Sequence, residues 1–255
     1  VYDVAVLPFD SKSKTQIPYS VSSVNTTGNW ERSAETPDNY LQGLVSGLNA
    51  VRKSGTSGTG ADLFLRGFSS LNTRNQPLIV VDGMIYDNND YGTSLIGGHV
   101  VNPLSNIDLK DIDNITVLKD GGAMYGTKGA NGVILITTAH AKQLATHIDF
   151  AAYSGINAAP KNLPVLGVND YRLYLSDVLQ SSGMTNTQLQ AQPYMNDTDN
   201  PDYKRYHYNT NWQNKVLGSN YSQNYFLKVT GGDNIAKYAL SMGYLNDNGI
   251  IDNTN

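Results

Sequence analysis

The sequence of 255 residues contains no cysteine, which excludes disulfide bonds, thiolate metal sites and cysteine nucleophiles. Histidine is scarce as well. The four histidines, His99, His140, His147 and His207, show no paired metal-ligand spacing. We therefore expect no metal and no cofactor. The motifs G-x-S-x-G and H-E-x-x-H are also missing, so no sequence pattern predicts an enzyme.

Charge is sparse too. Only 16% of the residues are charged, the formal net charge is -4 and the sequence pI is about 5.5, so the chain offers no basic surface for nucleic acid. No apolar run approaches the roughly 18 residues of a membrane-spanning helix. Membrane β-strands would produce no such run either, so hydropathy leaves the question of a membrane open.

The most informative stretch is residues 102–138, which reads as strand, glycine-rich turn, strand. In residues 112–119 the side chains of Ile115 and Val117 share one face and polar ones share the other, which predicts a half-buried strand. Residues 133–136 are continuously apolar, which predicts a strand buried on both faces. The glycines between the two strands permit close backbone approaches and predict a compact turn.

Shorter patterns precede this stretch. Thr36, Pro37 and the apolar spacing that follows predict a helix of about three turns that ends near Leu48. The segment GTSGTG at 55–60 predicts a plain loop, since no Lys-Ser or Lys-Thr follows to make a phosphate cradle. DLFLRG and PLIVVDG predict two more short strands.

After Thr138 the sequence alternates in the manner of membrane strands, over residues 146–156, 224–230 and 237–245. A short turn at 231–236 joins the last two, and a long polar region with a helix around residues 171–178 separates the first two. The alternation predicts a lipid-facing set: Ile148, Phe150, Ala152, Tyr225, Leu227, Val229, Tyr238, Leu240, Met242 and Tyr244. The opposite set is expected to face inward: His147, Asp149, Tyr153, Phe226, Lys228, Thr230, Lys237, Ala239, Ser241 and Gly243.

The ordered blocks LQGLVSGL, RGFSSL, QPLIVVDG and NPLSNI to LITT resemble the plug domain of the SusC/RagA family of TonB-dependent outer-membrane transporters. QNYFLKVTGG and KYALSMGYLNDNGI resemble the first barrel strands of that family. The resemblance implies an N-terminal segment 1–15, a mixed α/β plug domain over 16–139, and the start of an antiparallel transmembrane β-barrel over 140–255. Plugged barrels have about 22 strands. Three strands cannot close in lipid, so we expect most of the barrel beyond Asn255.

The function that this resemblance implies is TonB-dependent import of a large nutrient across the bacterial outer membrane, with an oligosaccharide favoured and a peptide as the second option. The implied partners are TonB, a SusD-like surface lipoprotein and outer-membrane lipid. The extended residues Val4, Ala5, Val6 and Leu7 are the candidate TonB contact through strand addition. A plug-edge strand is the alternative for this segment. A secreted or surface adhesion domain without transport is the alternative function.

Two further groups of residues are candidates for roles in such a plug. A polar loop with the composition of a substrate-contacting surface comprises Tyr86, Asp87, Asn88, Asn89, Asp90 and Tyr91. A solvated loop is the alternative, and the segment lacks the ligand pattern of an EF-hand. The second group is expected to be structural, through charge pairs and tight turns: Arg66, Gly67, Asp82, Gly83, Lys119, Asp120, Tyr125, Gly126, Asn131 and Gly132.

Overall fold

The computed structural model describes residues 4–7, 10–26, 36–52, 54–87, 100–141, 145–195, 201 and 203–251. It divides into two compact units, residues 1–157 with 220–249 and 254–255, and residues 158–219 with 250–253. The first unit holds β1 (Val4–Val6), β2 (Ser11–Ser13), β3 (Val21–Asn25), α1 (Pro37–Tyr40), β4 (Leu48–Arg52), β5 (Ala61–Leu65), β6 (Leu78–Val81), β7 (Met84–Tyr86), β8 (Ile112–Leu118), α2 (Gly122–Tyr125), β9 (Val133–Thr138), β10 (His147–Asn157), β11 (Asn220–Gly232) and β12 (Lys237–Asp247). The second unit holds α3 (Val168–Ser181), α4 (Asn186–Gln190), α5 (Tyr203–His207) and α6 (Trp212–Val216).

A five-stranded sheet in the order β3, β8, β9, β6, β7 forms the centre of the N-terminal domain, residues 4–141. Strands β6 and β9 are parallel, and the other neighbours are antiparallel. The predicted burial of residues 133–136 on both faces is confirmed. The prediction that β8 is half-buried is wrong, because Thr116 on its polar face is buried as well.

Hydrogen bonds between side chains allow β8 to be buried on its polar face. The hydroxyl of Thr116 donates to Asn114 Oδ1 at 2.8 Å, and Asn114 Nδ2 donates to the hydroxyl of Ser23 on β3 at 3.0 Å. A buried polar group costs little once it has a hydrogen-bond partner. The burial of this strand therefore depends on its neighbour, which its own alternation does not reveal.

Apolar side chains pack on both faces of the sheet. One face carries Ile115, Ile134 and Ile136, which pack against the antiparallel pair β4 and β5. The other face carries Leu135 and its neighbours, which pack against Leu7 of the N-terminal segment and against Tyr19. Successive residues of β9 thus enter different cores, as the two-residue period of a strand requires. The sheet is the middle layer of the domain.

The helix predicted to end near Leu48 stops after one turn, at Tyr40. Gly43 and Gly47 have φ values of 76° and 79°, which lie outside the α-helical region. Of the apolar residues that suggested a helix face, Leu41, Val45 and Leu48 are nevertheless buried, and Leu44 is exposed. Consecutive turns bury these side chains as a helix would, so the spacing alone could not distinguish the two.

The glycine-rich connection between β8 and β9 folds as α2 followed by the 3-10 helix Gly126–Gly129. Gly132, at its end, has a φ of 90°, and a β-carbon there would collide with the side chain of Leu65. Only glycine satisfies both constraints. The sequence prediction of a compact turn is confirmed here.

Strands β10, β11 and β12 form an antiparallel three-stranded sheet, called the wall sheet below. The register aligns Phe150, Leu227 and Met242 in one row, and Phe150 and Met242 are 68% and 62% exposed. The next row contains Phe226, which is only 2% exposed and faces the N-terminal domain. The inward position of Phe226 agrees with the prediction, whereas β12 is exposed on both faces over residues 237–245.

The second unit is helical. The predicted helix is present as α3, but Tyr171, Tyr174 and Val178 of the predicted face are exposed. The packed side contains Ser176, whose hydroxyl contacts the sulfur of Met195 at 3.6 Å. In the described part of the chain, no helix is long and apolar enough to cross a membrane.

Candidate functional site

The N-terminal domain meets the wall sheet through residues 105–111, which comprise the end of the 3-10 helix Pro103–Asn106 and the whole of the 3-10 helix Leu109–Asp111. Asn102 and Asp108 cap these helices, and the carboxylate of Asp108 accepts a hydrogen bond from the backbone N–H of Lys110 at 2.9 Å. Asn and Asp favour such cap positions because their side chains satisfy free backbone donors. The capped turns place Asp108, Lys110 and Asp111 next to β11 and β12, and we call this contact the junction.

Direct hydrogen bonds cross the junction. Lys110 Nζ donates to Asn224 Oδ1 at 2.9 Å, and Asn224 Nδ2 donates to Asp108 Oδ2 at 3.3 Å. A single amide on β11 thus bridges a cation and an anion of the N-terminal domain. Burial lowers the pKa of Lys110, and the nearby carboxylate of Asp108 partly offsets this effect.

Asp111 is a partly buried carboxyl group of the junction. Burial raises its pKa, while a hydrogen bond from Ser241 and the positive charge of Lys228 act in the opposite direction. The carboxylates of Asp108 and Asp82 raise it further. Lys228 is only 7% exposed, and its register partner on β10 is Asp149. Positively and negatively charged side chains are therefore present on both sides of the junction.

A cleft of about 330 Å³ lies beside these charges. Its lining includes Ser105, Asp108, Asp111, Thr138, Phe226 and Ser241. The N-terminal domain and the wall sheet are therefore in contact without being packed to the density of a protein core.

A second contact joins the N-terminal domain to the far end of the wall sheet. The hydroxyl of Ser57 donates to Asp247 Oδ2 at 2.8 Å, and Asn157 Nδ2 donates to Asp247 Oδ1 at 3.0 Å. Ser57 belongs to the GTSGTG segment, which the sequence analysis interpreted as a plain loop. No motif marked Ser57, because its partner lies 190 positions away.

Asp38 holds the base of that loop and is also absent from the sequence-based candidates. Its Oδ2 accepts hydrogen bonds from the backbone N–H of Ala61 at 2.5 Å and from Asn102 Nδ2 at 2.7 Å. Burial raises the pKa of Asp38, and hydrogen bonds lower it to a smaller extent. The carboxyl group thereby ties the loop to the segment that precedes residues 105–111.

The TonB-contact candidates Val4, Ala5, Val6 and Leu7 lie in and just after β1. This strand pairs with β2, with Val4 opposite Ser13, and Ala5 is fully buried. Leu7 packs against the second core of the sheet. The segment thus belongs to a two-stranded sheet that is separate from the five-stranded sheet. In the described ranges β1 has no strand on its other edge.

The candidate substrate loop is only partly described. Tyr86 is half-buried against the core, and its hydroxyl donates to the backbone carbonyl of Pro103 at 3.0 Å. Asp87 is exposed at the surface. Asn88, Asn89, Asp90 and Tyr91 lie outside the described residues. Tyr86 therefore contributes to packing, and Asp87 is the described candidate for contact with a substrate.

Arg66 and Asp120, both in the group expected to be structural, form a bidentate pair. Arg66 Nη1 and Nη2 lie 2.6 and 3.3 Å from the two carboxylate oxygens of Asp120. The pair lowers the pKa of Asp120, and both side chains are about half exposed. Exposed pairs of this kind contribute little to stability. Arg66 precedes Gly67, and both residues have positive φ values.

Asp82 and Lys119 bond to neighbouring strands and loops. Asp82 has a φ of 47° before Gly83, and its carboxylate accepts hydrogen bonds from the backbone N–H and hydroxyl of Thr138 at 2.9 and 2.7 Å. These bonds fasten the end of β9 to the turn after β6. Lys119 Nζ donates to the hydroxyl of Ser46 at 3.1 Å.

Tyr125, Gly126 and Asn131 belong to the glycine-rich connection. Asn131 Nδ2 donates to the carbonyl of Arg74 at 2.7 Å, which joins this connection to the loop between β5 and β6. Tyr125 packs against the second core, and burial raises its pKa. Gly126 has a φ of 59°. Among the described residues, no group of three or more Asp, Glu or His side chains is arranged to share a metal ion.

Comparisons with known proteins identify the domain that these residues build. The family model described as "TonB-dependent Receptor Plug Domain" matches residues 13–133. This range includes β3, β6, β7 and β8 of the five-stranded sheet and ends at Val133, the first residue of β9. The N-terminal domain is therefore a plug domain.

The similarity to known proteins extends along almost the whole chain. The TonB-dependent receptor SusC of Bacteroides thetaiotaomicron is 30% identical over 99% of this chain, and the TonB-dependent receptor P26 of Formosa agariphila is 28% identical over 98% of it. The chain spans 23% of the length of each of these relatives. Among solved structures, the RagAB peptide importer in its open-open state matches 97% of this chain and 28% of its own, with a TM-score of 0.71 and 22% identity.

Residues 13–133 belong to the family of TonB-dependent receptor plug domains, and the chain is similar along almost its whole length to the TonB-dependent receptor SusC. It is part of an outer-membrane protein.

Proposed function

We propose that the whole protein imports a large nutrient across the bacterial outer membrane, with the plug domain gating the barrel and TonB supplying the energy. The observation that carries this proposal is the contrast between the plug core and the junction. The plug has its own apolar core on both faces of the sheet, whereas its contacts with the wall sheet include the hydrogen bonds that join Lys110 and Asp108 to Asn224. A body with a complete core can move as a unit.

Gating requires that the plug closes the lumen firmly at rest and yields when work is done on it. Barrels of about 22 strands enclose a lumen that needs a plug. Hydrogen bonds such as that between Lys110 and Asn224 can be exchanged for bonds to water when the plug moves. Exposing the apolar residues of β9 would have no such compensation. The junction is therefore suited to reversible separation.

The contact with TonB is proposed for Val4, Ala5, Val6 and Leu7. Their strand pairs with β2 over only three residues, and in the described ranges its second edge has no strand partner. An added strand could bond to that edge through backbone groups. Tension on this segment would act directly on the second plug core through Leu7.

A matched pair of proline variants tests this contact, because proline removes a backbone donor from a strand. Val4 and Ser13 are register partners, so Val4→Pro and Ser13→Pro disturb the same pair of short strands. We expect Val4→Pro in the full-length protein to abolish TonB-dependent growth on the nutrient and Ser13→Pro to retain it. Equal growth of both variants would show that TonB does not contact this segment.

We propose an oligosaccharide as the nutrient and a peptide as the second class. Two parts of the plug are proposed to contact the substrate. They are Asp87 with the loop that follows it, and the loop that contains Ser57. The contact between Ser57 and Asp247 lies at the end of the wall sheet that carries the long connection after Asn157, and long connections lie outside the cell in bacterial barrels. Polar and aromatic loops suit both ligand classes.

A SusD-like surface lipoprotein is the proposed partner that covers the barrel. Deletion of the gene for the full-length protein tests the function. We expect loss of growth on defined oligosaccharide mixtures, unchanged growth on glucose, and the same phenotype in a strain without TonB. Loss of growth on peptides alone would select the second class, and loss of surface attachment with normal growth would favour an adhesion protein instead. Purification in mild detergent without any lipoprotein would exclude the partner.

A further inference from the structure

We infer that the wall sheet holds the plug in its closed position through a seat, which consists of Asn224, Phe226 and Gly243. The inference rests on the proposed gating function and extends it to particular residues. Phe226 and Gly243 are register partners on β11 and β12, and Asn224 lies two residues before Phe226 on the same face of β11. The seat receives the plug turn that begins at Asp108.

The contacts between the turn and the seat are direct. Asp108 Oδ2 accepts a hydrogen bond from Asn224 Nδ2 at 3.3 Å, and Asn224 Oδ1 accepts one from Lys110 Nζ at 2.9 Å. A β-carbon at Gly243 would lie 3.5 Å from Asp108 Oδ2 and 3.6 Å from a ring carbon of Phe226. Asp108 therefore lies over Gly243 at a distance that leaves room for little more than a β-carbon.

An amide suits position 224 because it faces two groups of opposite character. A lysine ammonium group can only donate hydrogen bonds, and an ionised carboxylate can only accept them. The orientation of the Asn224 amide is therefore fixed by its neighbours, with the oxygen towards Lys110 and the nitrogen towards Asp108. A carboxylate at this position would repel Asp108, and an aliphatic side chain would offer no hydrogen bond to either charged group.

Both sides of the contact are firmly held. Asn224 lies on β11, the central strand of the wall sheet, which is paired on both edges. On the plug side, Asp108 accepts a hydrogen bond from the backbone N–H of Lys110 at 2.9 Å, and the turn continues directly into β8 at Ile112. Ile112 is 2% exposed and belongs to the plug core. The position of the turn on the wall is therefore tied to the position of the plug sheet.

An exchange of two side chains tests the seat through the resting single-channel conductance of the full-length protein in planar bilayers. Asn224→Asp places two carboxylates against each other, and Asp108→Asn removes the ionised acceptor of the Asn224 amide. We expect each single variant to raise the resting open probability on the order of tenfold or more, because each disrupts a hydrogen bond to a charged group.

The double variant that carries both substitutions should be as closed as the unmodified protein. The carboxylate at position 224 can then accept hydrogen bonds from Lys110 and from the amide at position 108. Asparagine also caps short helical turns, so the turn itself is retained. The double variant is the matched control as well, because a folding defect caused by either substitution would persist in it.

A reversible cross-link provides the second measurement. A β-carbon at Gly243 would lie 4.0 Å from the β-carbon of Asp108, within the range that a disulfide spans. The 255 residues contain no cysteine of their own. The protein with Asp108→Cys and Gly243→Cys should leak when reduced, because the carboxylate is lost, and should close when oxidised. Because the same molecules are compared in both states, a folding defect cannot account for the change.

Three results would overturn the seat. The single variants could remain as closed as the unmodified protein, the double variant could leak at least as much as the single variants, or oxidation of the cross-link could leave the leak unchanged. Failure to import any nutrient, together with the expected conductances, would argue against the proposed import and leave this inference standing. Conductance at rest requires neither nutrient nor TonB, so the two failures are distinguishable.

Discussion

The outward face of β12 offers the sharpest test of how the chain lies in the membrane. Leu240 is exposed on the outer face, in register with Val229, and Ala239 lies next to it on the inner face. We expect Leu240→Lys to destabilise the full-length protein in lipid and Ala239→Lys to be tolerated. Ser241 is unsuitable as the control, because it lines the same cleft as Asp111 and its register partner is the buried Lys228.

The expected magnitude follows from the position of Leu240 along the strand. It lies two residues from Met242, the centre of β12. With a rise of about 3.4 Å per residue and a tilt of about 45°, this places it roughly 5 Å from the bilayer midplane. A lysine on the lipid face costs about 2–4 kcal/mol at the midplane and about 0–1 kcal/mol near the interfaces, so a cost of about 2 kcal/mol is expected.

The assay is a urea titration of the full-length protein refolded into lipid vesicles, with folding followed by tryptophan fluorescence. The two variants add the same charge to neighbouring residues of one strand, so differences in net charge or expression cancel. A one-residue change of register would reverse the two faces of the strand. If the two lysines destabilised the protein equally, or if Ala239→Lys were the more harmful, the assignment of the outer face to lipid would be refuted.

Three further outcomes are expected for the plug. Gly132→Ala should lower the free energy of unfolding of the plug, measured in urea on the full-length protein, by about 2 kcal/mol or more, because of its positive φ and its collision with a leucine. Gly126→Ala, with a positive φ but open space around it, should cost about 1 kcal/mol. Equal effects of the two variants would argue against the collision. A fragment of residues 4–139 should resist proteolysis better than a fragment of residues 16–139, because β1 and the residue after it cover the second core; equal digestion would show that this cover is dispensable. Burial raises the folded-state pKa of Asp38 above its ordinary value of 3.8, so the unfolded chain loses that proton first and stability falls as pH rises from about 4 through the folded-state pKa. Asp38→Asn should flatten that part of the pH profile in urea titrations, and an unchanged slope would assign it to other groups.

The sequence alone determined those features that depend on neighbours along the chain. Alternation assigned Phe226 to the inner face of its strand although its apolar character suggested lipid, and the register confirms this position. The glycine-rich turn before β9 could also be predicted from the sequence, because the conformation of Gly132 is a local property. Strand period and glycine stereochemistry act over a few residues, so a single sequence displays them.

Only the tertiary structure decided features whose partners are distant in sequence. The hydrogen bond between Asn114 and Ser23 spans 91 positions, and the hydrogen bond between Lys110 and Asn224 spans 114. The end of α1 at Tyr40 was also decided by the tertiary structure, because a helix and a series of turns can bury the same apolar residues. Hydrogen bonds and charge pairs depend on distance in space, which a chain acquires only when its strands come together.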